Sequence, residues 1–599
     1  MQLLQLLSKT KVSTLQPHEA FFLELWNEMT HEQSLDSYRV RCLNAHSVVR
    51  ELAEELRIGR ISAEELKPLC AETLDIIKAD PVLPHCLPHH LAITADLLKE
   101  ASSQLKKDDE GKARQWRSEL GYAVEDFLTA VDRTYFSKLL EELPNALASK
   151  DQGQIFAVTG TLLSELVDRG WPLEPLFSWV RLFFQKKADH HATFNGNLRF
   201  LISQLGWEPQ KFRVVLKFVG STELASFGCF SGFSFRADAG FKPANANQLN
   251  FAAQAAQVSF GETEIYAFDF YSAAVKGREK FESCLDQLRF NFESASIKVD
   301  QRCLVERADH IIRFPVVRHL VPNPDQRLSF AAFREFSQRL HDTLSRPSLD
   351  PETGERLSAA IRHYRLGSDA ESYKDKFLNW WMGLEYLTRV GGSQKLGVEV
   401  IESTTAVLLQ RYLYRLVVDL LNTIKPDAIA WGPELVAESG CGDLKALEAN
   451  QLLKVLQSAK HSAILAGSFP QNPVAAFRVN RLASALQTPA KSADLLERHA
   501  DHLRWQLARL YRIRCCIVHG SPLRFKLPLY AANLEFYLRE AIITILPTFG
   551  MNLHVSSLKD VYQRAAFSRK RTLSNLKAPT ASPDDVRHAV FNNVVIQEG

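Results

Sequence analysis

Apolar residues recur every three or four positions through most of this chain, and that period is abandoned over a single stretch. The segments "AFFLELWNEM", "AHSVVRELAEELRIG", "AEELKPLCAETLDIIKA" and "DFLTAVDRTYFSKLLEEL" all show it, with few β-branched runs. Breaks fall at "PVLPHCLPHH", "DDEGK", "RGWPLEP" and "GWEPQ". Residues 1–210 are therefore expected to form an all-helical region, and no fixed-period repeat marks a solenoid. With 599 residues, 46% hydrophobic and 24% charged, the chain is too long for one core and too apolar for wholesale disorder.

The exception begins at Phe212. "FRVVLKFVG", "FGCFSGFSFRA" and "ETEIYAFDFY" are rich in aromatic and β-branched residues. In the last, Tyr266, Phe268 and Phe270 alternate with Ile265, Ala267 and Asp269, the period of a half-buried strand. Ala274, Phe281, Cys284, Leu285 and Leu288 then draw a helical stripe, and a strand-like "ASIKVDQRCLV" follows. Strand, helix, strand in that order predicts a small α+β module over 211–310 whose two flanking strands run parallel. A proline-marked connector, 311–352, leads to a second helical region over 353–552. The last stretch, 553–599, contains "SRKRTLSNLKAPTASPDD" and is expected to be a basic flexible tail.

A net charge of +3 means that any nucleic-acid partner has to be held by a local patch. Nine cysteines with no C-x-x-C pair fit reduced thiols better than disulfides or zinc. The opening "MQLLQLLSKTKVS" lacks the basic and apolar segments of a secretion signal. No run approaches the roughly 18 to 20 apolar residues of a membrane span. A cytoplasmic protein with no membrane partner, no cofactor and no metal is expected.

The chemistry is expected in "YRIRCCIVHGSP". On a helix from Ala500 to Val518, Leu503, Leu507, Leu510 and Ile517 share one stripe, and Arg514 falls inside it. A cation there needs a partner. In "KFLNWWMGLEYLTRVGG", Leu378, Trp381 and Met382 are read as the apolar face, with Glu385 on the same side. The two charges are explained if these faces meet, either as a structural ion pair or as a functional site. His519 points roughly 140° away from Arg514 on a continuous helix. The two cooperate in one chain only if the helix ends near Val518, where Gly520 and Pro522 supply a terminator. Arg512 lies closer to the direction of His519 and is an auxiliary phosphate contact on this reading.

"YRIRCCIVHG" resembles the R-N-x-x-V-H-G signature of HEPN domains, the higher eukaryotes and prokaryotes nucleotide-binding family. "SAAIRHYRLGSDAESYKDKFLNWWMGLEYLTR" is similar to the opening helices of its Apea-like branch. The resemblance covers about residues 353–550, and "AFDFYSAAVKGREKFESCLDQLRF" resembles segments that often precede this domain. It implies a C-terminal HEPN-type helical bundle, which together with the helical N-terminal region of unknown, sensor or regulatory, role and the small central α+β module read above makes the chain mainly α. It also implies a regulated, metal-independent endoribonuclease, a bacterial toxin or antiphage effector, acting as a homodimer on RNA under a trigger or antitoxin. Arg514 and His519 match the catalytic R-x-x-x-x-H pair, and Glu385 matches the acidic residue of the early helix. Cys515 stands where active members usually carry Asn, Asp or His, a departure that favours the alternative of an inactive dimerisation or RNA-binding scaffold.

Other signals are weaker. His85, Cys86, His89 and His90 lack the second ligand pair of a zinc site, as do His190 and His191. "GCFSGFSFRADAG" has no Lys-Ser/Thr ending and is not a phosphate loop. "SRKRTLSNLK" has the charge to touch an RNA backbone, although a solvated tail is the commoner explanation.

Overall fold

The computed structural model describes residues 15–591 apart from 33, 35–37, 60–61, 105–109, 183, 185–192, 221–222, 242, 244, 254–257, 292–296, 318–329, 371, 391–395, 428–430, 520–526 and 552–553. The described chain is mainly α with one small sheet. Its N-terminal helices are α1 (Pro17–Thr30), α2 (Ala45–Ile58), α3 (Ala63–Lys78), α4 (Leu83–Cys86), α5 (Pro88–Gln104), α6 (Glu110–Ser149), α7 (Gln152–Asp168), α8 (Leu173–Arg181) and α9 (Phe194–Leu205). The central segment carries α10 (Ala246–Ala252) and α11 (Phe270–Asn291) among the strands. Then come α12 (Phe330–Leu344), α13 (Pro351–Asp369), α14 (Tyr373–Thr388), α15 (Leu396–Gln410), α16 (Tyr412–Ile424), α17 (Pro433–Ser439), α18 (Ala449–Gln457), α19 (Ala459–Gly467) and α20 (Pro473–Leu486). The last four are α21 (Pro489–Val518), α22 (Leu527–Met551), α23 (Leu558–Leu576) and α24 (Pro583–Phe591). None of the described helices is long and apolar enough to cross a membrane.

The chain divides into two compact units. One joins Met1–Glu165, Val180–Asn197 and Val321–Gly599; the other joins Leu166–Trp179 and Leu198–Leu320. This corrects the expected partition, in which residues 1–210 stood as a region of their own. Most of that region packs with the C-terminal helices instead. Phe21 of α1 meets Phe477 of α20 edge-on at 5.3 Å, and Glu28 of α1 bonds Arg478 at 2.6 Å. Such partners lie 450 residues apart in sequence, beyond the reach of any local pattern.

In the second unit, β1 (Gln210–Val219), β2 (Cys229–Phe230), β3 (Phe233–Arg236), β4 (Val258–Ala267), β5 (Lys298–Arg307) and β6 (Ile312–Arg313) form one sheet in the order β2-β3-β4-β1-β5-β6. Both β4 and β5 pair antiparallel with β1, so they run in the same direction on either side of it. The strand–helix–strand order and the strand-like composition of β1 were legible; the insertion of β1 between β4 and β5 was not. Period-two alternation sends Phe212, Val214, Leu216 and Phe218 of β1 to one face. There they meet the expected stripe of α11, all five residues of which are buried. Gly277 of α11 permits this approach, since a Cβ there would lie 2.8 Å from Val214. Val215, Phe260 and Leu304 face the opposite side, over Phe251 of α10.

Residues expected to be a flexible tail form α23 and α24. Leu558, Val561, Tyr562, Ala565 and Leu576 are buried, and so are Val586 and Val590. The apolar residues are few, but they sit at helical spacing, and that spacing decides the outcome over composition. Tyr562 donates to the Leu387 carbonyl at 2.9 Å. The connector likewise contains α12, and Asp350 caps α13 by accepting from Thr353 N at 3.0 Å. His85 and Cys86 sit on the one-turn helix α4, not in a loop; His190 and His191 lie outside the described residues.

Glu24 of α1 is 2% exposed, and burial pushes its carboxyl up to about 8. The folded protein therefore binds this proton more tightly than the unfolded chain. The associated stability is present at low pH and is lost as pH rises from about 4.5 through about 8. Glu24→Gln, which keeps the shape of the neutral acid, is expected to lose less thermal stability than the wild type between pH 5 and pH 8. Parallel melting profiles for the two proteins count against the assignment.

Candidate active site

The candidate site is built on α21, a 30-residue helix about 45 Å long at 1.5 Å per residue. Thr488 caps its start and Pro489 occupies the first turn. The helix serves two cores: Leu496, Ala500 and Leu503 enter one, Leu507 and Leu510 the next. Burial then falls toward the C-terminus. Leu503, Leu507 and Leu510 are at most 3% exposed, Ile517 is half-buried, and Val518 is 51% exposed. Arg514 occupies the stripe at the point where it leaves the core.

Across from it stands α14, capped by Ser372. Its buried face is Phe377, Trp380, Trp381, Leu384 and Leu387. This corrects the expected face: Leu378 is only half-buried, and Met382 is 41% exposed. Two adjacent tryptophans support either of two stripes, and packing against α13 and α22 chose the one that buries both. Glu385 lies one turn after Trp381, at the edge of the buried face, and accepts a hydrogen bond from the Trp381 indole.

Glu385 and Arg514 are brought together, Oε1 to Nη2 at 3.7 Å. Their side chains are 18% and 26% exposed. That separation is an ion pair without a direct hydrogen bond, and Arg514 has no other ion-pair partner among the described residues. Glu385 also lines an open groove of about 1400 Å³, together with Ser358 and Arg362 of α13 and Met382 and Tyr386 of α14. A carboxylate thus connects the cation to a solvent-filled concavity.

His519 follows the helix as its C-terminal cap, and α21 ends at Val518 as expected. Gly520 and Pro522 lie outside the described residues. The early end does not bring His519 to Arg514. Its N–H still donates to the Cys515 carbonyl at 2.9 Å, so its Cα keeps helical register, on a different side of the helix. His519 is exposed.

Arg512 is placed against its expected role as a phosphate contact. Its side chain is 11% exposed and its Nη2 lies 2.5 Å from Glu51 Oε1 of α2. The guanidinium is committed to the protein. Cys515 is half-buried and engages Tyr511, one turn earlier; burial and then Cys515 push the Tyr511 phenol up.

Sequence reasoning missed the most buried cation of the helix. Arg509 is 2% exposed and bonds Glu51 at 2.7 Å and Glu72 of α3 at 3.0 and 2.5 Å. Burial alone raises the Glu51 carboxyl, but Arg509 and Arg512 outweigh it and hold it at about 2. No local signal identifies this cluster, because its carboxylates lie over 430 residues away.

No protein-family model, curated protein or solved structure matches this chain.

The two cations predict stability losses of different size. Arg509→Met leaves the buried Glu72 without its partner and Glu51 with Arg512 alone, and is expected to cost about 3–5 kcal/mol in denaturant unfolding. Arg514→Ala, at a partly exposed pair with no direct hydrogen bond, is expected to cost less than about 1 kcal/mol. Equal losses would contradict this ranking.

Proposed function

We propose that the protein is a metal-independent endoribonuclease whose site is formed by Arg514, His519 and Glu385. The observation that carries this reading is the partly buried Arg514–Glu385 pair, set where an otherwise buried stripe reaches solvent. A guanidinium whose only described partner is a non-bonded carboxylate retains donors for a bidentate grip on the scissile phosphate. Glu385 orients it. His519, exposed at the helix end, moves the proton. In the reaction the 2′-oxygen gives up its proton and attacks phosphorus. The P–O5′ bond breaks, and the departing 5′-oxygen takes a proton. The products are a 2′,3′-cyclic phosphate and a 5′-hydroxyl. DNA has no 2′-hydroxyl and is spared.

Because His519 keeps helical register, it and Arg514 of one chain diverge. On this reading each site is shared by two copies of the chain across a two-fold axis, Arg514 from one and His519 from the other. The buried pairs that tie α21 to α2 and α3 supply a route for regulation, since a shift of those helices shifts the helix carrying the site. A role as toxin or antiphage effector in the cytoplasm, under a trigger or antitoxin, follows from the resemblance to HEPN proteins. The inactive-scaffold reading rests on Cys515, whose thiol engages Tyr511 and offers RNA no strong polar group.

Purified protein is expected to cleave single-stranded RNA in the presence of a chelator and to leave 2′,3′-cyclic ends. Arg514→Ala and His519→Ala are each expected to abolish this. Mixing the two inactive variants under subunit exchange should restore roughly a quarter of the rate, because about half the dimers are mixed and each of these holds one intact site of two. No recovery on mixing removes the shared site. Equal cleavage by wild type and both variants removes the ribonuclease.

A further inference from the structure

Helix α23 carries a second cationic surface, distant in sequence from the proposed site. Its core side is set by Leu558, Val561, Tyr562, Ala565 and Leu576. That leaves the other side to solvent, and Phe567 sits on its midline, 68% exposed. At 100° per residue, Arg571 lies about 40° from Phe567, Arg564 and Lys570 about 60°, and Lys559 about 80°. All four are exposed. None has an ion-pair partner among the described residues. The one carboxylate of the helix, Asp560, is held by the amides and hydroxyls of Ser556 and Ser557 at its cap. Neighbouring carboxylates are engaged elsewhere: Glu497 with Lys577 at 2.6 Å, and Glu402 and Asp501 with Arg504 at 2.8 and 3.1 Å.

An exposed phenyl ring flanked on both sides by unpaired cations has the chemistry of a single-stranded nucleic-acid platform. Bases stack on the ring while phosphates meet the charges. We infer that the solvent face of α23 binds the backbone of single-stranded RNA, with a base stacked on Phe567. The identity of the polyanion as RNA rests on the ribonuclease reading; the surface itself does not. A membrane-lying helix needs a continuous apolar face in the lipid. Here that face is turned into the core, and Gln563 and Ser574 share the midline with the single phenylalanine.

The test uses the full-length wild type and a fluorescein-labelled 2′-O-methyl oligouridine, which no 2′-hydroxyl attack can cut, read by anisotropy over a salt series. Arg564→Ala/Lys570→Ala/Arg571→Ala should lower the slope of log Kd against log salt by about 2, at about 0.7 per phosphate contact. Phe567→Ala should weaken binding roughly 5- to 100-fold. Arg564→Lys/Arg571→Lys, which keeps both charges, should bind with the wild-type slope; this separates lost charge from lost folding. Unchanged slope and affinity in the alanine variants overturn the inference, and RNA cleavage by the same variants then leaves the nuclease intact. Failure of the wild type to bind the oligonucleotide, with or without binding to phosphatidylserine vesicles, overturns it as well.

Discussion

The arrangement of the larger unit depends on one cluster of buried charge. Arg509 on α21 is enclosed by Glu51 on α2 and Glu72 on α3, and Arg512 adds a second contact to Glu51. Such a cluster contributes little net stability relative to an apolar packing of equal volume. It contributes specificity. Only one rotation and one axial position of α21 lets its guanidinium reach both carboxylates, so the cluster sets how the N-terminal helices dock on it. Every side chain further along α21 inherits that setting, including Arg514 and His519.

Two arginines five residues apart on this helix illustrate how position along a stripe determines chemistry. Arg509 lies where the helix is enclosed, and Glu51, Glu72 and Gln506 take up its Nε, Nη1 and Nη2. Arg514 lies where burial is falling, against a carboxylate too far for a hydrogen bond. The first is a structural ion pair. The second is a cation whose only ion-pair partner among the described residues stands beyond hydrogen-bond distance. Glu385 is itself fixed by the Trp381 indole, so the geometry does not depend on the arginine alone.

What could be read in advance follows the range of the interactions. Period alone located the helices, the α+β module and the buried stripe of α11. The meeting of Arg514 with Glu385 was also readable, because each charge was misplaced on its own helix. The face of α14 was misjudged, since Trp380 and Trp381 support two stripes and only packing chose between them. Arg512 was misassigned for a different reason: its partner Glu51 is 461 residues away, and an arginine with a distant partner reads as free. The helices after residue 553 were obscured by composition, their few apolar residues being enough when correctly spaced.

The chain order of the larger unit has a consequence for biosynthesis. Glu51 and Glu72 leave the ribosome first, and Arg509 follows 458 and 437 residues later. At about 5–20 residues per second, that is a wait of roughly 20–90 seconds. During it Glu51 and Glu72 on the nascent helices α2 and α3 wait for the guanidinium that neutralises them. The helix that bears Arg514 thus emerges only after its scaffold has been made. A message cut short before Arg509 yields fragments without the complete cluster.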